Sequence, residues 1–370
     1  MNATRQLHDL GQSLWLDNIT RGMLDDGTIG RYINDLSVTG LTSNPTIFQK
    51  AIEGTDFYDD AIARKARAGK SGEALFFELA IEDLTRAADL FLPAYDASQG
   101  MDGWVSLEVS PVMAYDAQAE IAAAKQLHAS AARPNLFIKI PGTPEGLIAI
   151  EESIFNGIPI NVTLLFSCEQ YLAAAEAYMR GIERRIGAGL DPDVRSVASL
   201  FISRWDVAIK DKVPADLHNR LGIAVAQRAY TAYRNLLGSP RWEKLAAAGA
   251  KTQRLLWAST GTKDPAAADT LYIEALAAAN TVNTMPDKTL LGFADHGRLG
   301  DPMPADDKAA RAVLAQFKAA GIDEAALAAQ LQKEGAESFD KSWRALLACI
   351  ESKSAALKAS PQAGGEARQS

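Results

Sequence analysis

The chain alternates. Eight short apolar, strand-like runs lie at 14–19, 40–44, 104–110, 136–141, 158–166, 196–203, 254–260 and 281–285, each followed by a turn or a helical pattern. The stretches between them are rich in Ala, Leu, Glu, Arg and Gln and include helical patterns at 114–131, 168–186, 223–237 and 266–278. Strands alternating with helices build βαβ units and a parallel sheet. A count of eight predicts α/β architecture closed into a (β/α)8 TIM barrel. A doubly wound open sheet is the alternative, but no Gly-x-Gly-x-x-Gly follows the first strand to support its dinucleotide-binding form. The barrel leaves chain over. One surplus, 48–103, carries helical patterns at 58–68 and 73–92; another follows the eighth strand, with patterns at 305–320 and 323–358. We expect these extra helices after strands 2 and 8 to pack on the barrel, giving one domain over residues 1–359 and a polar, disordered tail at 360–370.

Composition narrows the function classes. Across 370 residues, Lys+Arg 38 against Asp+Glu 46 leaves a net charge of −8. That balance gives no general attraction to nucleic acid or an anionic membrane, and a phosphorylated substrate would need a local cationic pocket. Cys168 and Cys349 are too few for a disulfide framework or a multi-cysteine zinc site, and Cys168 is expected to be a buried structural thiol. His8, His128, His218 and His296 are not spaced as metal ligands. The N-terminal residues lead into no apolar signal core and no run is long enough to span a membrane; with only two cysteines, a reducing cytoplasm is the expected location.

The sharpest chemical signal is Lys139, inside the apolar run Leu136-Phe137-Ile138-Lys139-Ile140-Pro141. Burial disfavours an ammonium, so its pKa is expected to fall. At its reference pKa a lysine is roughly 0.04% neutral at pH 7, and only the neutral amine attacks a carbonyl. Lowering the pKa by about 3 units takes on the order of 4 kcal/mol, which an apolar site can supply. Lys139 is thus a candidate Schiff-base nucleophile. The competing reading lays its stem along the sheet with the head in water.

Polar residues recur in every strand, towards the C-terminal ends where barrel active sites sit. They include Asp17 and Asn18, Asn44, Ser106 and Glu108, Lys139, Asn161 and Thr163, Ser199 with Ser203, Arg204 and Asp206, Ser259, and Asn283 with Thr284. Each has a plainer alternative. Asp17 would cap the next segment; Glu108 would be an idle counter-ion of Lys139; Asn44 before Pro45 would shape a turn. Asn161 and Thr163 would satisfy buried backbone, and Arg204 with Asp206 would form a surface pair. A shared polar cavity explains all of them together, since buried polar groups need one another.

At these segments the chain resembles transaldolase, from about residue 10 to residue 350. The resemblance is carried by Leu14-Trp15-Leu16-Asp17-Asn18, Gly40-Leu41-Thr42-Ser43-Asn44-Pro45-Thr46-Ile47-Phe48, Ile138-Lys139-Ile140-Pro141 with Thr143, Glu145 and Gly146, and Ile160-Asn161-Val162-Thr163-Leu164-Leu165-Phe166-Ser167. It implies a barrel related to the lysine-dependent (class I) aldolases, acting without metal or organic cofactor. The implied reaction moves a dihydroxyacetone unit between sugar phosphates: sedoheptulose 7-phosphate and glyceraldehyde 3-phosphate give erythrose 4-phosphate and fructose 6-phosphate, in the non-oxidative pentose phosphate pathway. By position, Lys139 would form the Schiff base and Asp17 would take and return the proton of the cleaved hydroxyl. Glu108 and Thr163 would handle the water and protons of carbinolamine formation. Asn44, Asn161 and Ser199 would hold the dihydroxyacetone end, and Arg204 the phosphate. Many family members carry a second arginine two residues beyond the strand 7 serine. Here Ser259 is followed by Thr260 and Gly261, and Lys263 is the nearest replacement charge.

The closest rival is a Schiff-base aldolase that releases free dihydroxyacetone or its phosphate. The joint presence of Asp17, Glu108 and Asn161 favours transfer. A non-catalytic barrel and a metal-dependent aldolase are the remaining readings, the latter disfavoured by the lack of a histidine cluster. The expected partners are sugar phosphates alone, with no nucleic acid or membrane, and the protein is a monomer or homodimer.

Overall fold

The computed structural model describes residues 2–359; the tail expected at 360–370 lies outside the described residues. Eight parallel strands close into a barrel in chain order: β1 Ser13–Leu16, β2 Val38–Leu41, β3 Trp104–Glu108, β4 Leu136–Pro141, β5 Ile160–Leu165, β6 Ser196–Phe201, β7 Gln253–Ala258 and β8 Val282–Met285. β1 pairs with β8 as well as β2, which completes the closure and excludes the open sheet. Nearly every strand residue is buried, because one face fills the barrel and the other packs under helices. The observed strands are one to three residues shorter at their C-terminal ends than several of the sequence runs. Asp17 and Thr42 therefore stand just beyond strands, in the loops of the active face, and Ser203 opens the short helix Ser203–Ile209.

Packing inside the barrel follows from residue size. At the base, Trp104 stacks on Phe137 with ring centroids 4.0 Å apart, and Trp15 lies 6.2 Å from Phe137. Gly40 leaves room for that aromatic layer: a Cβ there would lie 2.6 Å from the Trp104 carbonyl oxygen and 2.7 Å from Trp15 Nε1. Large rings low in the barrel leave the upper layer to smaller polar side chains.

The surplus segments are helical. After β2 come Pro45–Glu53, Asp59–Arg67 and Gly72–Ala97; after β8 come Asp287–His296, Lys308–Ala319 and the long C-terminal helix Glu324–Ala359. That last helix packs on the helices after β2 and touches the loop after β3. Its Trp343 meets Phe76 edge-on at 4.9 Å, and Lys353 reaches Asp59 at 2.6 Å. One helical pattern shrinks. The 266–278 stretch yields only Leu271–Ala275, because Asp264 turns the chain by accepting from the Ala266 N–H at 3.1 Å.

Candidate active site

Lys139 points into the barrel near its upper end. Cα register places Glu108 of β3 beside it on one side and Asn161 of β5 on the other. Register partners share a face, so the three polar side chains stand level across adjacent strands. Lys139 Nζ lies 3.0 Å from Glu108 Oε2 and donates to the Ser43 carbonyl oxygen at 3.1 Å. Only 4% of Lys139 and 6% of Glu108 is exposed, which overturns the reading of a lysine reaching bulk water. Burial pushes the Glu108 carboxyl up from its ordinary value, opposed by the adjacent Lys139.

Asp17 follows β1 directly, held by its N–H to the Met285 carbonyl at 2.7 Å. Its Oδ1 accepts from the Thr42 hydroxyl at 2.7 Å, which lies 2.6 Å from the Thr284 hydroxyl. It caps no helix; Thr20 caps the next one. Burial raises the Asp17 carboxyl, with Lys139, Thr42 and Lys263 pulling it down. A carboxylate so balanced can accept and return a proton nearer neutral pH than a solvated one.

Asn161 donates to the Ser106 hydroxyl at 3.1 Å and accepts from the Ser199 hydroxyl at 2.7 Å, so it serves side chains and not the backbone. The buried Thr163 hydroxyl has no hydrogen-bond partner among the described residues. The next residue, Leu164, adopts φ 58°, and the β5–β6 register shifts between Val162 and Leu165. This bulge breaks the ladder beside the site. Asn44 fulfils the turn reading while remaining at the site: it caps the helix Pro45–Glu53 by accepting from the Ile47 N–H at 3.0 Å.

A cavity of about 790 Å³ opens over these residues. Asp17, Asn44, Lys139, Thr163, Ser199, Arg204, Ser259 and Lys263 all line it. Glu108 and Asn161 sit behind that lining, one against Lys139 and the other against Ser199. The surface-pair reading of Arg204 and Asp206 fails. Buried Asp206 accepts from the Leu221 and Gly222 N–H groups and from the Tyr272 hydroxyl at 2.8 Å. Arg204 instead faces the cavity, 5.4 Å from the Phe201 ring and 5.9 Å from the Phe339 ring, with no hydrogen-bond or ion-pair partner among the described residues. Burial lowers its pKa, and the charge of Glu334 opposes that. A half-buried guanidinium facing a cavity with no ion-pair partner among the described residues suits phosphate.

Ser259 adopts φ 56° and its hydroxyl lies 2.9 Å from that of Ser203. At Gly261, where the resemblance would place a second arginine, a Cβ would lie 3.5 Å from Lys263 Nζ, so that ammonium stands beside this position. Lys50, on the first helix after β2, adds another cation to the lining. Among the described residues no group of three or more His, Cys, Asp or Glu side chains is placed to hold a metal ion. No helix of the described chain is long and apolar enough to cross a membrane. Cys168 is buried, and burial pushes its thiol up to about 11.

Sequence reasoning missed Thr42 and Thr284 as partners of Asp17, Lys50 as a lining cation, and the C-terminal helix as a wall. Leu331, Glu334 and Phe339 of that helix line the cavity. Apolar residues at helical spacing read as core, and no local signal marks a helix that reaches an active site through the tertiary fold. Lys50 was discoverable, about one and a half turns beyond the Asn44-Pro45 cap.

A family model described as transaldolase/fructose-6-phosphate aldolase matches residues 14–350. A transaldolase of Thiobacillus denitrificans is 44% identical over 361 residues, covering 95% of this chain and 100% of that protein. One from a Parafrankia species is 45% identical over 360 residues, 94% and 97% of the two chains. One from Neisseria gonorrhoeae is 42% identical over 349 residues, 94% and 99%.

Proposed function

Because the chain belongs to the transaldolase/fructose-6-phosphate aldolase family, we propose that it is a transaldolase, carrying a dihydroxyacetone unit between sugar phosphates on Lys139. The observation that carries the mechanism is one lysine, almost fully buried, between a carboxylate at 3.0 Å and a cavity whose lining includes an arginine with no ion-pair partner among the described residues. The amine attacks the donor ketone. Glu108 takes and returns protons while the carbinolamine loses water, with the unpartnered Thr163 hydroxyl holding that water. The iminium then accepts the electron pair of the adjacent C–C bond. Asp17 removes the proton of the hydroxyl that becomes an aldehyde, and returns it when an acceptor aldehyde is joined. Asn44, Ser199 and, through Ser199, Asn161 orient the three-carbon end; Arg204, Ser259 and Lys263 hold the phosphate.

The usual substrates are sedoheptulose 7-phosphate and glyceraldehyde 3-phosphate, with erythrose 4-phosphate and fructose 6-phosphate as products, in the non-oxidative pentose phosphate pathway. The protein acts in the cytoplasm as a monomer or homodimer. Residues 1–359 form a single domain; the C-terminal helix, packed both on the early helices and on the site, supports that reading.

Borohydride trapping tests the mechanism. Incubation with fructose 6-phosphate, reduction and digestion should yield a dihydroxyacetone-sized adduct on Lys139 by mass spectrometry. A folded sample without an adduct refutes the Schiff base. Full-rate cleavage without an acceptor aldehyde would favour the aldolase reading instead.

A further inference from the structure

The C-terminal helix Glu324–Ala359 reaches the site through one face. Gln332 donates from Nε2 to the carbonyl oxygens of Gly142 and Leu164, each at 2.9 Å. Those carbonyls end β4 and sit in the β5 bulge, so one side chain ties the helix to the strands of Lys139 and Thr163. Three residues on, Gly335 permits the approach: a Cβ there would fall 2.9 Å from Leu164 Cδ2 and 3.6 Å from Arg204 Nη1. A further turn along, Phe339 follows at the spacing that keeps it on the same face. Its ring centroid lies 5.8 Å from Lys139 Nζ and 5.9 Å from Arg204 Cζ. Phe339 is only 4% exposed and lines the cavity, forming the wall that runs from the covalent end to the phosphate end.

We propose that Phe339 determines how the covalent intermediate is partitioned, keeping solvent away from the three-carbon unit on Lys139 until an acceptor arrives. This rests on the Schiff-base reading above. After cleavage, Lys139 Nζ carries the unit as an enamine and Asp17 holds the donor hydroxyl proton. In transfer, the enamine carbon attacks the acceptor carbonyl carbon. A C–C bond forms, the nitrogen becomes an iminium, and the acceptor oxygen takes the proton from Asp17. In release, the enamine carbon takes a proton from an entering water molecule, the hydroxide left behind takes the proton held by Asp17, and the nitrogen again becomes an iminium. Both routes end when water adds to the iminium carbon and the C–N bond breaks to restore the amine. The routes separate at the enamine, which must survive while one aldehyde leaves and another enters. An aromatic wall beside the nitrogen denies water room at that moment, and its face stabilises the iminium cation that precedes cleavage.

The test compares wild type, Phe339→Ala and Phe339→Leu with fructose 6-phosphate as donor. Dihydroxyacetone release without acceptor and transfer to erythrose 4-phosphate are both measured. Borohydride trapping on Lys139 and a thermal melt accompany them. The expected result is a rise of about tenfold in the release-to-transfer ratio for Phe339→Ala, and a smaller rise for Phe339→Leu, with the adduct still forming. An unchanged ratio, or release and transfer falling together, overturns the proposal. Should Phe339→Ala not fold, Phe339→Leu, which removes less volume, decides alone. A wild-type protein that forms no adduct fails the Schiff-base reading itself, an outcome the trapping control separates from a failure at Phe339.

Discussion

At the level of single residues, the site joins two raised carboxyls to one buried amine. Replacing Asp17 by Asn keeps the hydrogen bond to Thr42 but removes the base. The expected product of trapping is then a six-carbon adduct on Lys139 with no aldehyde released, read by mass; a three-carbon adduct would take Asp17 out of the cleavage step. Arg204→Ala should raise KM for phosphorylated donors on the order of 10- to 100-fold with a smaller change in kcat, since its half-buried guanidinium faces the cavity with no ion-pair partner among the described residues. Steady-state kinetics with fructose and fructose 6-phosphate checks this. A separate carboxyl governs stability. Glu120, on the helix Ala117–Ala131, is fully buried with neither oxygen hydrogen-bonded among the described residues, and burial, reinforced by Asp116 and Glu145, pushes it up to about 8. The folded form therefore prefers the protonated acid, while the unfolded chain ionises near the ordinary glutamate value of 4.5. Its contribution is intact below pH 4.5 and is lost as pH climbs towards 8. Glu120→Gln should match wild type near pH 4.5 and exceed it in Tm by several degrees or more at pH 8, an approximate figure for a chain of this size. Melts across that range decide it. Lys139 stood out in the sequence because charge in an apolar strand is costly. Glu120 did not, because a glutamate in an alanine-rich helix reads as surface.

At the level of elements, function depends on where each strand stops. The loop after β4 turns at once into the helix Pro144–Phe155, capped by Thr143, whose hydroxyl accepts from the Gly146 N–H at 3.0 Å. Gly146 lies so close to the strand end that a Cβ would be 1.9 Å from the Pro141 carbonyl oxygen. Gly146→Ala should destabilise by about 2 kcal/mol or more despite alanine's helix propensity, and lower kcat by shifting the strand end two residues past Lys139. Urea melts and kinetics would show both; an unchanged or stabilised protein would mean the cap yields freely. The eight strands were legible because their apolar runs are short and bounded by turns. Their C-terminal limits were not, since Asp17, Thr42 and Ser203 continue a run in sequence although the ladder has ended. The bulge at Leu164 left no sequence mark, as leucine has no preference for a left-handed backbone.

At the level of the molecule, the chain carries a net charge of −8 while the cavity gathers Lys50, Lys139, Arg204 and Lys263. A local positive field in an acidic protein steers phosphorylated sugars and is screened by salt. We expect kcat/KM for sugar phosphates to fall several-fold as salt is raised towards about 0.5 M, with little change for unphosphorylated donors. Equal slopes for both would show that the field does not act on the substrate. Net charge was readable from composition, but this concentration of cations arises only when the barrel brings four distant segments to one mouth. The helix that completes the cavity is also the segment synthesised after every strand of the barrel. The pocket therefore gains its last wall only when residues 331–339 have been added, so catalytic competence waits on a segment made after all eight strands, and that segment brings buried Trp343, Leu346 and Ile350 into the same core as the barrel.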